Sequence, residues 1–197
     1  MRNINLFVED RAHQLVIGTL LRCLAKSEGV EVNLNWRRSR GGFSRVVRDF
    51  KEYLQDFGQE SSVPDLIVVA SDSNCMGYNQ RSKEINELIT QDISLPVVLA
   101  IPDPHIERWL LIDSKAFKTV FGKGCEAPDM QCERNRYKEL LRQSIEDAGI
   151  RPSLSGIEFA EDIVNAMDIQ RAMRADASFK KFVEDIRRIL QQWKSLD

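Results

Sequence analysis

Three acidic groups stand directly beyond apolar runs, at places where folding would gather them. Glu9-Asp10 follows the run ending at Val8, Asp72-Ser73-Asn74 follows Leu66 to Ser71, and Asp103 follows Pro96 to Pro102, with Glu107 one helical turn further on. Short apolar runs of this kind read as strands buried on both faces. Ligands of an open parallel sheet bind beyond the carboxyl ends of its strands, so acids from three strand ends would share one edge. Carboxylates brought together without counter-charge are costly, and a cluster of them recruits a cation. Oxygen donors without thiolates or paired imidazoles suit Mg²⁺ or Mn²⁺ rather than zinc. A single Asp after a strand is better explained as the cap of the next helix. Three such ends in register favour a site.

A basic segment should leave the same edge. Between Trp36 and Lys51 there are six bases (Arg37, Arg38, Arg40, Arg45, Arg48 and Lys51) against one acid, Asp49. Alone it reads equally as a solvated loop. Beside the acids, Arg37, Arg38, Arg40 and Arg45 become candidates for a phosphate backbone, with the Gly41-Gly42 amides at the following helix start. His105 is a candidate proton shuttle or phosphate contact, against the simpler reading of a histidine packed in its loop. His13 reads as an occupant of a first helical turn. Arg134, Arg136 and Lys138 alternate with Glu133 and Glu139 and read as an exposed helix face.

These residues need a scaffold, and the apolar spacing supplies one. Val16, Leu20, Cys23 and Leu24 recur at helical spacing. Val32, Leu34 and Trp36 alternate as a half-exposed strand, and Phe43 to Phe57 form a second helical stripe closed by Gly58. With the helix carrying Ile85, Leu88 and Ile89, the first hundred residues predict an α/β fold: a four-stranded, mostly parallel, Rossmann-like sheet flanked by helices. The rest is helical, ending in a stripe of Phe179, Phe182, Val183, Ile186, Ile189, Leu190 and Trp193. The expected organisation is an α/β core over residues 1–113 and a helical C-terminal extension over 114–197 packed on it.

The chain has 197 residues with 28 Lys+Arg, 30 Asp+Glu and a net charge of −2, which excludes a polycation that coats nucleic acid by bulk charge. No apolar run approaches the ~20 residues of a membrane span, and the N-terminus reads as a strand rather than a secretory signal. The four cysteines lack zinc-ligand spacing; Cys125 and Cys132 share a polar loop and could pair, but reduced thiols in a cytoplasmic chain are the expectation.

Leu6-Phe7-Val8-Glu9, Val68-Val69-Ala70-Ser71-Asp72-Ser73-Asn74 and the segment Ile101 to Leu111, with its Glu107-Arg108-Trp109, resemble the Toprim domain, in particular small stand-alone Toprim-like prokaryotic proteins related to the OLD nucleases. The resemblance implies metal-dependent phosphodiester hydrolysis of DNA or RNA in antiviral defence beside a separate ATPase partner. It implies Glu9 as general acid/base or metal ligand, Asp72 as the first metal-binding aspartate, and Asn74 at the second. Glu107 would restore the carboxylate that Asn74 lacks. Asp10 stands where the family carries glycine. Two rivals remain: a non-catalytic adaptor subunit of an ATPase complex, and a small-molecule phosphatase or receiver-like domain phosphorylated on Asp72. Association with a further copy of the chain is compatible with each.

Overall fold

The computed structural model describes residues 1–39, 41–56, 63–90 and 95–196. Arg40, Phe57, Gly58 and Asp92 lie outside the described residues. Strands and helices alternate as β1 (Arg2–Val8), α1 (Arg11–Glu28), β2 (Val32–Arg38), α2 (Phe43–Gln55), β3 (Leu66–Ala70), α3 (Gly77–Asn86) and β4 (Val97–Ala100). The helices α4 (Ile106–Leu111), α5 (Ser114–Phe121), α6 (Arg136–Glu146), α7 (Ala160–Ala166), α8 (Ile169–Ala175) and α9 (Ala177–Leu196) follow.

The sheet runs β2-β1-β3-β4, and every described pairing is parallel. Register sets the site. Val8 pairs with Arg38 on one side and Ala70 on the other, and Ala70 pairs with Ala100, so the four strands end level. The chain leaves β1 toward β2 and returns on β1's opposite side as β3. That reversal opens a crevice between the ends of β1 and β3, where Glu9 and Asp72 emerge.

Alternation along the strands divides the core. Phe7, Ile67, Val69, Leu99 and Ile101 face Phe43, Val46, Phe50 and Tyr53 of α2 and Ile85 of α3. Ile4, Leu6, Val8, Leu66, Val68, Ala70 and Val98 face α1 and the C-terminal helices. Each large apolar side chain so buried contributes roughly 1.5–3 kcal/mol. The edge strand β2 lies close under α1: a Cβ on Gly18 would come within 2.7 Å of the Trp36 ring.

The C-terminal helices share the second of these cores rather than building their own. Trp109 lies edge-on to Phe179 at 5.1 Å and stacked on Phe182 at 5.8 Å, and its indole N–H donates to Ser178 Oγ at 3.1 Å. The α9 stripe from Phe179 to Trp193 is buried there. Buried Asp113 caps α5 and takes Arg171 of α8 in a two-pronged ion pair, 2.8 Å on each oxygen, so the expected boundary at 113 is a tightly held corner. Among the described residues no helix is long and apolar enough to cross a membrane.

The cysteines depart from expectation. Cys75, in the turn after β3, is bonded to Cys132, ahead of α6, with Cα atoms 5.5 Å apart; Cys125 does not pair with Cys132 and is free, as is Cys23. Tertiary folding, which sequence spacing does not report, brings the two bonded residues together across 57 positions.

Candidate functional site

Beyond the level strand ends, Glu9, Asp10, Asp72, Asn74, His105, Glu107, Arg134, Asn135, Tyr137 and Lys138 line a pocket of about 210 Å³. Four chain segments far apart in sequence build it: the β1–α1 turn, the β3–α3 turn, the start of α4, and the approach to α6 with its first turn.

Asp72 is its centre. One oxygen accepts the first amide of α4, Ile106 N–H, at 2.8 Å, and lies 3.1 Å from His13 Nε2, an ion-pair approach rather than an aligned hydrogen bond. The other oxygen lies 3.0 Å from His105 Nδ1. Burial works to raise the Asp72 pKa, but the two imidazoles outweigh it and hold the carboxylate below its usual range. His13 is fully buried, which disfavours its charge, yet Asp72 and Asp10 raise its pKa well above that of a free imidazole. His105, held mainly by its hydrogen bond to Asp72, is raised as well.

Asp10 explains the position of His13. It is the N-cap of α1, accepting His13 N–H at 3.0 Å, and the same oxygen meets His13 Nδ1 at 2.8 Å. Burial opposes the charge on Asp10, but His13 holds its pKa far below the ordinary value. Asp10–His13–Asp72–His105 is therefore one continuous chain of charge. The Asp10 side chain stays half-exposed at the pocket wall, with one carboxylate oxygen engaged by His13.

Glu9 fixes the other wall. Its Oε2 accepts Ser71 Oγ–H and, at 3.3 Å, Asp72 N–H. Its Oε1 lies 3.7 Å from the place a Cβ would take on Gly42, whose φ of 75° leads into α2. The acid edge and the basic segment thus meet at Gly42. Glu107 is 4% exposed, and its cationic neighbour among the described residues is Lys138 Nζ at 3.8 Å. Burial first, and Asp72 second, push the Glu107 pKa up.

Asp103 does not join the cluster. It accepts Ser73 Oγ–H at 2.6 Å and Tyr78 N–H at 3.4 Å, the capping role open to any strand-end aspartate. The arginines gather elsewhere, in a hollow of about 380 Å³ lined by Phe7, Arg37, Arg38, Arg45, Asp49, Glu52, Tyr53 and Asp56. Arg37 stacks 4.7 Å over Tyr53, Arg38 donates to Gln14 Oε1, and Arg45 pairs with Asp49 at 2.7 Å. Conversely Arg134 and Lys138 rim the acid pocket; both are exposed, but Arg134 stands in the turn ahead of α6 and not on its face.

Glu9, Asp72, Asn74 and Glu107 bring side-chain oxygens to one pocket, and Asp72 is near enough to Glu107 to help push its pKa up. Both Asp72 oxygens are already engaged, and no group of three or more His, Cys, Asp or Glu is set as a metal centre among the described residues.

No curated protein and no solved structure matches the chain. One family does, over residues 8–187, a span that takes in both strand-end acids, the pocket rim and most of α9. The chain belongs to that family, described as a domain of unknown function, DUF4276.

Proposed function

We propose that this chain is a Toprim-type, metal-dependent phosphodiesterase acting on nucleic acid, with the pocket beyond β1 and β3 as its active site. The observation that carries the reading is Glu107: a carboxyl 4% exposed, close enough to Asp72 to be raised by it, with Lys138 at 3.8 Å as its counter-charge. A pocket built this way favours a further cation. Glu9, Asp72, Asn74 and Glu107 would hold it. Bound there, Mg²⁺ or Mn²⁺ supplies Lewis-acid polarisation of a phosphoryl oxygen and a more acidic water.

The chain's own groups carry the protons. Ser71 and the Asp72 amide hold Oε2 of Glu9, leaving Oε1 to take the proton of the attacking water. Asp72 orients His105 through Nδ1, so the imidazolium can protonate the departing ester oxygen as the phosphorus–oxygen bond breaks. Arg134 meets the phosphate charge at the rim, and the hollow of Arg37, Arg38 and Arg45, with Arg40 between them in sequence, continues the track past Gly42. The Toprim resemblance is what supports a separate ATPase partner, a role in antiviral defence and a cytoplasmic setting.

The test is hydrolysis of bis(4-nitrophenyl) phosphate with Mn²⁺, alongside Mn²⁺ calorimetry. Turnover and binding that both fall in Glu107→Gln and Asp72→Asn support the reading; turnover unchanged in both variants refutes it. The commitment of both Asp72 oxygens to donors, with neutral Asn74 beside it, favours a second reading, an adaptor subunit. That reading predicts no divalent binding at millimolar metal together with tight binding to the ATPase.

A further inference from the structure

The chain between α5 and α6 crosses the mouth of the acid pocket on two unequal supports. Its first part is tied down by buried groups: Arg108 donates to the Asp129 carbonyl at 2.9 Å, and Tyr137 Oη donates to the carbonyls of Asp129 and Gln131 at 3.1 and 2.8 Å. The next residues, Cys132 to Asn135, are exposed, and the tie from this stretch to the opposite rim is the bond from Cys132 to Cys75. Cys75 directly follows Asn74, and both stand in the left-handed region, at φ 67° and 48°. The disulfide therefore joins the β3–α3 rim, carrying Asn74, to the α6 rim, carrying Arg134 and Asn135.

We infer that the Cys75–Cys132 disulfide positions Arg134 as a phosphate-binding cation of the pocket, so that affinity for a phosphodiester depends on the oxidation state of that bond. The inference rests on the reading of the pocket as a phosphodiester site. Arg134 is suited to the role because it lines the pocket and has no hydrogen bond or ion pair among the described residues. Arg136, two positions on, is committed to Asp129 and Glu133, and Lys138 to Glu107. Free of internal partners, Arg134 is placed by its backbone, which Arg136 N–H to the Glu133 carbonyl and Glu139 N–H to the Asn135 carbonyl hold on the α6 side and the disulfide two residues earlier ties to the opposite rim.

Both bonded cysteines are exposed, so a dithiol reductant can reach them. Its thiolate attacks one sulfur and releases the other cysteine as a thiolate. The second thiol of the reductant then displaces the first cysteine and closes a cyclic disulfide. Two electrons and two protons pass from the dithiol to the protein. Cys125 and Cys23 do not compete in the exchange: both are part-buried, and burial raises their thiol pKa, that of Cys125 to about 11. In a reducing compartment, disulfides of this kind are transient or redox-sensing.

The experiment is binding of a fluorescein-labelled single-stranded oligothymidylate to the full chain in EDTA, read by anisotropy across a salt series. Oxidised wild type binds. Dithiothreitol, Cys132→Ser and Arg134→Ala each weaken binding about fivefold and lower the slope of log K against log salt by about 0.7, the loss of one phosphate contact. Reduction adds nothing in Arg134→Ala, and amide exchange over residues 131–135 rises on reduction of wild type. The inference is overturned if oxidised wild type does not bind, if reduction leaves affinity, slope and exchange unchanged, or if reduction and Arg134→Ala act additively. With neither metal nor turnover in the measurement, a failure of the hydrolysis reading leaves this result standing, and the reverse also holds.

Discussion

The two polar hollows of this molecule hold similar residue types and behave differently. In the arginine hollow the cations are met at separate places: Arg45 by Asp49, Arg38 by Gln14, and Arg37 by the Tyr53 ring. In the acid pocket one carboxylate is shared. Asp72 serves His13, His105 and the first amide of α4, and its charge also reaches Glu107. Pairs of this kind near solvent contribute little to stability. A shared, buried partner couples its neighbours, so that His13, His105, Asp72 and Glu107 are all displaced from their usual pKa values. Charge density alone does not mark the place where protons can be moved. Shared burial does.

Removing the shared group is the strongest way to break this contrast. Asp72→Ala leaves the His13 cation buried beside Asp10 alone, and we expect a loss of about 3–5 kcal/mol in urea unfolding. A loss below that of a surface pair would mean that Asp72 is not the hub. Arg45→Ala, by comparison, should change stability by about 0–1 kcal/mol.

A second prediction uses pH. The folded pKa of His13 is raised, so its stabilisation is complete below the free imidazole value of about 6.5 and fades as pH rises through the folded value. Asp10 and Asp72 are lowered, so theirs is present above about 4 and fades as pH falls through the folded values. His13 alone should therefore contribute a loss of up to about 1.4 kcal/mol per pH unit on the alkaline side. His13→Gln should decline less steeply than wild type, keeping the parts that the raised His105 and Glu107 contribute. A parallel decline in both proteins would remove His13 from the cluster.

The smallest expected effect lies in the other hollow. Arg37→Ala, Arg38→Ala and Arg45→Ala should each lower the salt slope of oligonucleotide binding by less than Arg134→Ala does, because each arginine must first leave a partner. An Arg45→Ala effect larger than that of Arg134→Ala would reverse the ranking of the two hollows.

The scaffold was legible in the sequence because burial on both faces leaves continuous apolar runs. Leu66 to Ala70 and Pro96 to Ile101 could hardly be anything but strands covered on both faces, and their ends, with the end of β1, located Asp72, Asp103 and Glu9. Which of those acids joins the pocket was not legible. Asp103 and Asp72 follow strands alike, yet Ser73 and Tyr78 claim the first while two imidazoles claim the second. His13 did carry a local signal, Asp10 three residues before it at a helix start, but one carboxylate both capping the helix and holding the imidazole is visible only in three dimensions. Arg134, Lys138 and the Cys75–Cys132 bond carried no local signal. They reach the pocket through the packing of α4 against α6, where Tyr137 and Leu141 are buried.

The central claim is tested most directly by cleavage of single-stranded and duplex DNA and RNA in Mg²⁺ or Mn²⁺, comparing wild type with Glu9→Gln and Asp72→Asn. The account predicts metal-dependent cleavage by wild type, reduced at least about a hundredfold in each variant, the scale of losing a general base or its support. Cleavage that survives both substitutions would contradict it.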